Sequence, residues 1–364
     1  MHKFHTKKSI KNQEYEQYWK LTLEYSDIYS DKFNGCLNLI VKFIDDNSTE
    51  DYSTEKYVKL QNIIHDVYPK ADKGSTRKSI NQFVKLGFID YQLKSYHYDT
   101  KAFLRTTDND KKRSLFSKIV YSNASFNKSV TEQSNTKEIN FLIKTIDEVG
   151  KIDKDDLLAL MYTNISLVKK GFLNRDELNE KVRLVKQLNC ESRKYNQQRY
   201  LWNIIKKLDD IIFDDNYIYL DNINLIDSNS LINNSGKKRD NYLHRIYKNE
   251  LKEESISYFG KVKCMLDETV CLAPIASHIK PFINCNDFEA YDVNNGLLLG
   301  RDLDFLFDRG YITVTPDGNV LCSNKLDKEM ASSIESKKLK LNEHFLNDSR
   351  KEYLKYHNNY VFKK

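Results

Sequence analysis

The sequence predicts an α+β, multidomain chain, with a mainly helical N-terminal region and a C-terminal region of short strands around one helix. Three observations predict it. Apolar residues recur at helical spacing through "FNGCLNLIVKFIDD" (33–46) and "EKYVKLQNIIHDVY" (55–68). Hydrophobic residues alternate at strand spacing through "YITVTPDGNVLCS" (311–323), around a Pro316-Asp317-Gly318-Asn319 hairpin turn. Between these regions, "DSNSLINNSGKKRDN" (227–241) is rich in Asn and Ser and reads as a linker.

A chain of 364 residues has room for two or three domains. Its 40% apolar content, with 24 Tyr and 18 Phe, supports packed cores and argues against wholesale disorder. No run of 18 apolar residues is present, so no membrane span is expected. The N-terminal "MHKFHTKKSIKNQEYEQY" has no apolar signal core, and the expected location is the cytoplasm. Six cysteines are scattered at 36, 190, 264, 271, 285 and 322, without a CxxC pair. A disulfide framework is not expected in a cytoplasmic chain of this size. A structural zinc site from Cys264, Cys271, Cys285 and Cys322 is conceivable, but small buried cysteines are the favoured reading. The net charge is +6, and its distribution says more than its sum. Residues 51–130 hold 15 Lys/Arg against 8 Asp/Glu, whereas residues 261–310 hold 5 against 8. Basic and acidic segments in one chain suit a protein that grips phosphate in one place and holds a metal in another. Two differently solvated surfaces would give the same counts.

After the first two helices comes "KADKGSTRKSINQFVKLGFIDY" (70–91). Ser75 is expected as an N-cap. Ser75–Leu86 reads as a helix with Ile80, Phe83 and Val84 inward, ended by Gly87. "FIDYQLKSYHY" (88–98) then alternates as a strand. Helix, turn, helix and strand is the order of a winged helix. Arg77 and Lys78 would lie near the start of its recognition helix, where base edges and phosphates are met. An ordinary small α+β unit has the same order.

Further helices are expected near 137–149, 153–169, 174–189 and 197–213, with Trp202, Ile204, Ile205 and Leu208 as an inward stripe. This part reads as helical scaffold or a second DNA-contacting region.

Next, "ASHIKPF" (276–282) ends a short strand, and a polar loop runs from Asn284 to Asn294. "NGLLLGRDLDFLFDRG" (295–310) then passes from strand to helix, with Leu303, Phe305, Leu306 and Phe307 expected against the strands. His278 can thus face carboxylates on that helix. Asp304 and Asp308 are four residues apart and share a helical face. Carboxylates are the hard ligands that Mg²⁺ prefers. A neutral imidazole beside a metal and a phosphate can take a proton from water. Metal-assisted phosphodiester hydrolysis is therefore within reach of these residues.

"SHIKPF", "DVNNGLLL", "LDFLFDRGYIT" and the tail "YLKYHNNYVF" (353–362) resemble the HNH (ββα-metal) endonuclease family, in the branch found in bacterial restriction enzymes. The resemblance covers about residues 240–364, with its motifs in order. Asn295 and Asp304 are nine apart, which is the family's spacing from middle Asn to last metal ligand. The resemblance implies that His278 is the general base and that Asn295 holds the loop and orients it. It makes Asp304 a metal ligand, at a position where the family often has histidine. Ser277 stands where many members have a metal-binding Asp or His; Asp308 or Asp292 could compensate. Asp308 as a plain helix-surface carboxylate is the competing reading. His357 is expected to be structural. Lys280 and Arg301 are either phosphate contacts or solvated cations.

The implied cofactor is one Mg²⁺, with Mn²⁺ as the alternative, and the implied substrate is double-stranded DNA cut to 5′-phosphate and 3′-hydroxyl ends. A homodimer on a palindromic site and a cognate methyltransferase would fit the restriction setting. The expected organisation is a winged-helix-like region at 1–130, scaffold at 131–226, linker at 227–241 and nuclease domain at 242–364. A DNA-binding regulator with an inactive HNH unit, and a nuclease effector or toxin of another defence system, are the alternatives.

Overall fold

A computed structural model describes residues 18–188, 191–214, 216–221 and 238–364. The chain separates into two compact units, residues 1–221 and 222–364. Most of the proposed linker, 227–237, and Cys190 lie outside the described residues. The other five cysteines are free thiols. Among the described residues no helix is long and apolar enough to cross a membrane.

The first unit is mostly helical. Helices α1 (Asp31–Asp46), α2 (Thr54–Val67) and α3 (Lys73–Lys85) are each started by a side chain that accepts a free backbone N–H, from Ser30, Ser53 and Asp72 respectively. For α3 the cap is therefore Asp72, not Ser75. Ser75 supplies the N–H, because the carboxylate three residues earlier is the stronger acceptor. Ile80, Phe83 and Val84 point inward as the spacing predicts. The Phe33 and Phe83 rings meet edge to face at 4.9 Å, as do Phe88 and Phe103 at 5.0 Å. The chain turns at Gly87, whose φ of 85° and contact with Asn123 exclude a side chain.

The strand expected over 88–98 does not form. Gln92 and Leu93 both have positive φ and fold the segment back on itself, leaving one bridge between Ile89 and Tyr96.

Helices α4 (Thr100–Arg105), α5 (Asn109–Asn123) and α6 (Glu138–Val149) follow, then strand β1 (Lys151–Ile152) and helices α7 (Lys154–Met161), α8 (Arg175–Leu188) and α9 (Glu191–Ile205). Two of these are shorter than the periodicity predicts. Helix α7 stops at Met161, and Asn164 caps a separate short turn by accepting the Ser166 N–H, which draws the backbone out of the helix. Helix α9 stops at Ile205. The Leu208 carbonyl is taken by the Arg113 side chain, and the Asp209 N–H by Ser117, so the chain leaves the helix for β2 (Ile211–Phe213). With β3 (Ile218–Leu220) the strands form an antiparallel sheet in the order β1-β3-β2. Ile204, Ile205 and Leu208 are buried with Leu201, while Trp202 is half-exposed against the edge of Phe213.

The second unit opens with α10 (Asn241–Phe259). Strands β4 (Ile275–His278) and β5 (Gly296–Leu299) pair antiparallel, with His278 opposite Gly296. Helix α11 (Arg301–Asp308) packs back on this pair, giving a strand–strand–helix unit. Leu303, Leu306 and Phe307 are inward, but Phe305 is 52% exposed, on the opposite side of the helix from Phe307. Hairpin β6 (Ile312–Val314) and β7 (Val320–Cys322), helix α12 (Lys328–Ser336) and helix α13 (Asp348–Tyr360) complete the unit. Leu297, Leu298 and Leu299 sit at the centre of its core.

Candidate active site

The His278 side chain is 6% exposed, at the end of β4. Its Nε2 lies 3.0 Å from the Ala290 carbonyl oxygen, which can only accept. Nε2 therefore carries the proton in the neutral ring, and Nδ1 keeps a lone pair. Tyr247 stacks on the imidazole at 4.8 Å, and the Phe282 edge stands 5.7 Å away. Burial pushes the His278 pKa down to about 4; the Ala290 bond opposes this, and Arg239 adds to it. The ring is neutral at physiological pH and competent to accept a proton.

Tyr247 is there because α10 crosses close over β5. A Cβ on Gly296 would come within 2.3 Å of the Tyr247 hydroxyl, so glycine is what lets the aromatic ring lie beside His278.

Asn295 is 0% exposed and fully engaged. Its Oδ1 accepts the Lys280 N–H at 2.7 Å, while Nδ2 donates to the carbonyls of Glu289 at 3.0 Å and Lys280 at 3.2 Å. It thus ties together the two ends of the loop that leaves β4. Glu289 immediately precedes Ala290, so Asn295 also fixes the carbonyl that orients His278.

A second brace comes from the far end of the unit. Asn347, Arg350 and Tyr353 are three apart, at the start and along one face of α13, and hold three successive loop residues. Asn347 donates to Asn294 Oδ1 at 2.8 Å, Arg350 to the Val293 carbonyl at 3.0 Å, and Tyr353 to Asp292 Oδ2 at 3.0 Å. Arg350 is fully buried and also donates to Glu254 at 2.7 Å. The other Asp292 oxygen accepts from Asn294, so this carboxylate serves the loop. His357 bridges Thr313 at 2.8 Å and the Phe307 carbonyl at 3.1 Å, a structural clip as expected from sequence.

The remaining sequence candidates lie at different depths. Asp304 is half-buried in the first turn of α11, and Asp308, one turn on, is exposed. Ser277 is buried, with no hydrogen bond to its hydroxyl among the described residues. Lys280 is paired to both oxygens of Glu289 at 2.7 Å. Arg301 is exposed at the start of α11. Arg77 and Lys78 belong to the other unit and are exposed on α3.

Three neighbours of His278 escape a motif reading. Tyr247 and His244 stack in line with it, His244 at 6.3 Å. Arg239 sits over the Phe282 ring at 5.0 Å. The spacing of His244, Tyr247 and Leu251 marks one face of α10 and is the signal that could have found the first two.

Among the described residues, no three His, Cys, Asp or Glu side chains converge as a metal cage. Mg²⁺ can also be held by one or two carboxylates completed by water and phosphate oxygens, and Asp304 and Asp308 offer two carboxylates one turn apart on α11. Residues 263–315 match the family model of the HNH endonuclease. No curated protein matches the chain. The chain therefore carries an HNH endonuclease domain over β4, β5 and α11, a nuclease module whose members act on DNA and generally use a divalent metal.

Proposed function

We propose that the protein is a sequence-specific DNA endonuclease of the restriction type, with His278 as general base and one divalent metal. The observation that carries this reading is the Ala290 carbonyl on His278 Nε2, which leaves Nδ1 as the proton acceptor. Water gives its proton to Nδ1 while its oxygen attacks phosphorus. The bond to the 3′ oxygen breaks, leaving a 5′-phosphate and, after protonation, a 3′-hydroxyl. Asp304 and Asp308 would hold Mg²⁺ or Mn²⁺, which supplies positive charge to the phosphate and the leaving oxygen. Asn295 keeps the base in place by fixing the Glu289–Ala290 segment.

The helical unit would select the target. Support comes from the order α1, α2, α3, from Arg77 and Lys78 exposed on α3, and from the +7 excess in residues 51–130. Residues 88–97 would serve as a shortened wing. Lys280 and Arg301 would lie along the backbone of bound DNA, and a homodimer and a cognate methyltransferase complete the restriction reading. The absence of a three-residue metal cage among the described residues favours, as second reading, a DNA-binding regulator with an inactive HNH unit.

Plasmid nicking in Mg²⁺ or Mn²⁺ separates the two. The parental protein should cut, and His278→Ala should lose about 10²–10⁴-fold in rate while keeping DNA binding. Parental binding without cutting in either metal selects the regulator. An unchanged rate in His278→Ala removes His278 as the base.

A further inference from the structure

Arg239 stands immediately before α10 and is held there tightly. The neighbouring Asp240 caps the helix by accepting the Tyr242 and Leu243 N–H groups, both at 3.1 Å. The Asp240 N–H in turn donates to the Tyr291 hydroxyl at 2.8 Å, on the loop that presents Ala290 to His278. The guanidinium is 5.0 Å above the Phe282 ring, and that same ring is 5.7 Å from the His278 ring. Arg239 is thus one side chain away from the base.

Its surroundings are unusual for an arginine. Nε is shut off from water and bonded to nothing among the described residues. No ion pair to Arg239 is found there either, although Asp304 and Asp308 lie close enough to influence it electrostatically. Withdrawing a guanidinium from water without an anion is costly, and native proteins satisfy such groups almost without exception. Among the described residues this half-buried guanidinium near His278 therefore lacks an anionic partner. Its planar fork of donors matches the oxygens of a phosphate.

We infer that Arg239 is a substrate-contacting residue of this site, donating to the non-bridging oxygens of the phosphodiester that is cut. The inference rests on the nuclease reading for the identity of the anion. It gives the site a fixed positive charge near His278, so part of the charge neutralisation comes from the chain itself. The same charge helps to keep His278 and His244 neutral.

Two measurements on the full chain test it. In cleavage, Arg239→Ala should lose about 10²-fold or more, the usual cost of removing one donor to developing charge. Arg239→Lys should recover only part of the rate, and millimolar guanidinium should partly rescue Arg239→Ala. In binding, a short duplex titrated without cleavable metal in the His278→Ala background should show a salt slope smaller by about 1 when Arg239→Ala is added. If the parental protein cuts but Arg239→Ala cuts equally well, the inference fails and the nuclease reading stands. A slow, unrescued Arg239→Ala with an unchanged salt slope and a lowered melting temperature assigns Arg239 to stacking on Phe282 alone and overturns it. If the parental protein does not cut, the nuclease reading fails, and the salt slope alone decides whether Arg239 meets a phosphate.

Discussion

The roles proposed for His278 and Asp304 ask side chains of ordinary type to do particular work. A histidine in an apolar slot is usually structural, with both ring nitrogens satisfied, as in His357. His278 differs because one nitrogen is fixed by a carbonyl, and the proposal gives the other the role of proton acceptor. Asp304 tests the metal half of the proposal. Asp304→Ala should abolish metal-dependent cleavage, and Asp304→His should restore part of it with a preference shifted towards Mn²⁺, Co²⁺ or Ni²⁺, since imidazole is the softer ligand. Metal titrations of the cleavage rate read this directly, and unchanged curves in both variants would remove Asp304 from the site. His278, Asn295 and Asp304 were legible as candidates in the sequence because they fall in short motifs along the chain. Arg239 and Tyr247 were not. They reach His278 only because α10 folds over Gly296, and packing between distant segments leaves no local pattern.

Helix α13 and the loop at 292–294 act as one element. Arg350 is its pivot, buried between Glu254, Phe345 and Val293. Arg350→Met should cost about 3 kcal/mol of stability, since it strips donors from buried acceptors and leaves Glu254 without its partner. Its effect on cleavage should fall on kcat more than on KM, because the loop positions the base and not the DNA. A melt and a kinetic split check both; an equal loss in DNA affinity would contradict a positioning role. Most helices were readable from periodicity, but their ends were not. At 161 and 205 the helix stops where a polar side chain takes a backbone group away, by Asn164 in one case and by Arg113 and Ser117 in the other. The strand expected at 88–98 had the right alternation, yet Gln92 and Leu93 adopt positive φ, which their residue types do not announce.

For the whole molecule, the neutral histidines set a dependence on acidity. Burial pushes the pKa values of His97, His278 and His357 down to about 4, and that of His244 to about 3. Each falls below the ordinary histidine value of 6.5. Between those limits the unfolded chain binds more protons than the folded one, so stability is intact above about 6.5 and falls as pH drops towards 4. One such proton contributes a slope of about 1.4 kcal/mol per pH unit. Three of the four groups belong to residues 222–364, so that unit should lose its structure first on acidification. Thermal melts from pH 8 to pH 4, followed by a probe in each unit, check this. A flat profile, or earlier loss of residues 1–221, would contradict it. The chain divides at 221/222, and the Asn- and Ser-rich break proposed at 227–241 lies mostly outside the described residues; the imbalance of buried imidazoles depends on burial and could not be read from eight scattered letters.

The brace from α13 also has a meaning in time. A ribosome makes residues 292–294 first, and their partners follow 61, 57 and 53 residues later. Throughout that interval the nascent chain already contains His278, Asn295 and both α11 carboxylates, but not the side chains that steady their loop. A chain halted before residue 347 therefore carries every residue of the proposed chemistry and none of this support. Chain order thus places the supports of the proposed site after the residues that they support.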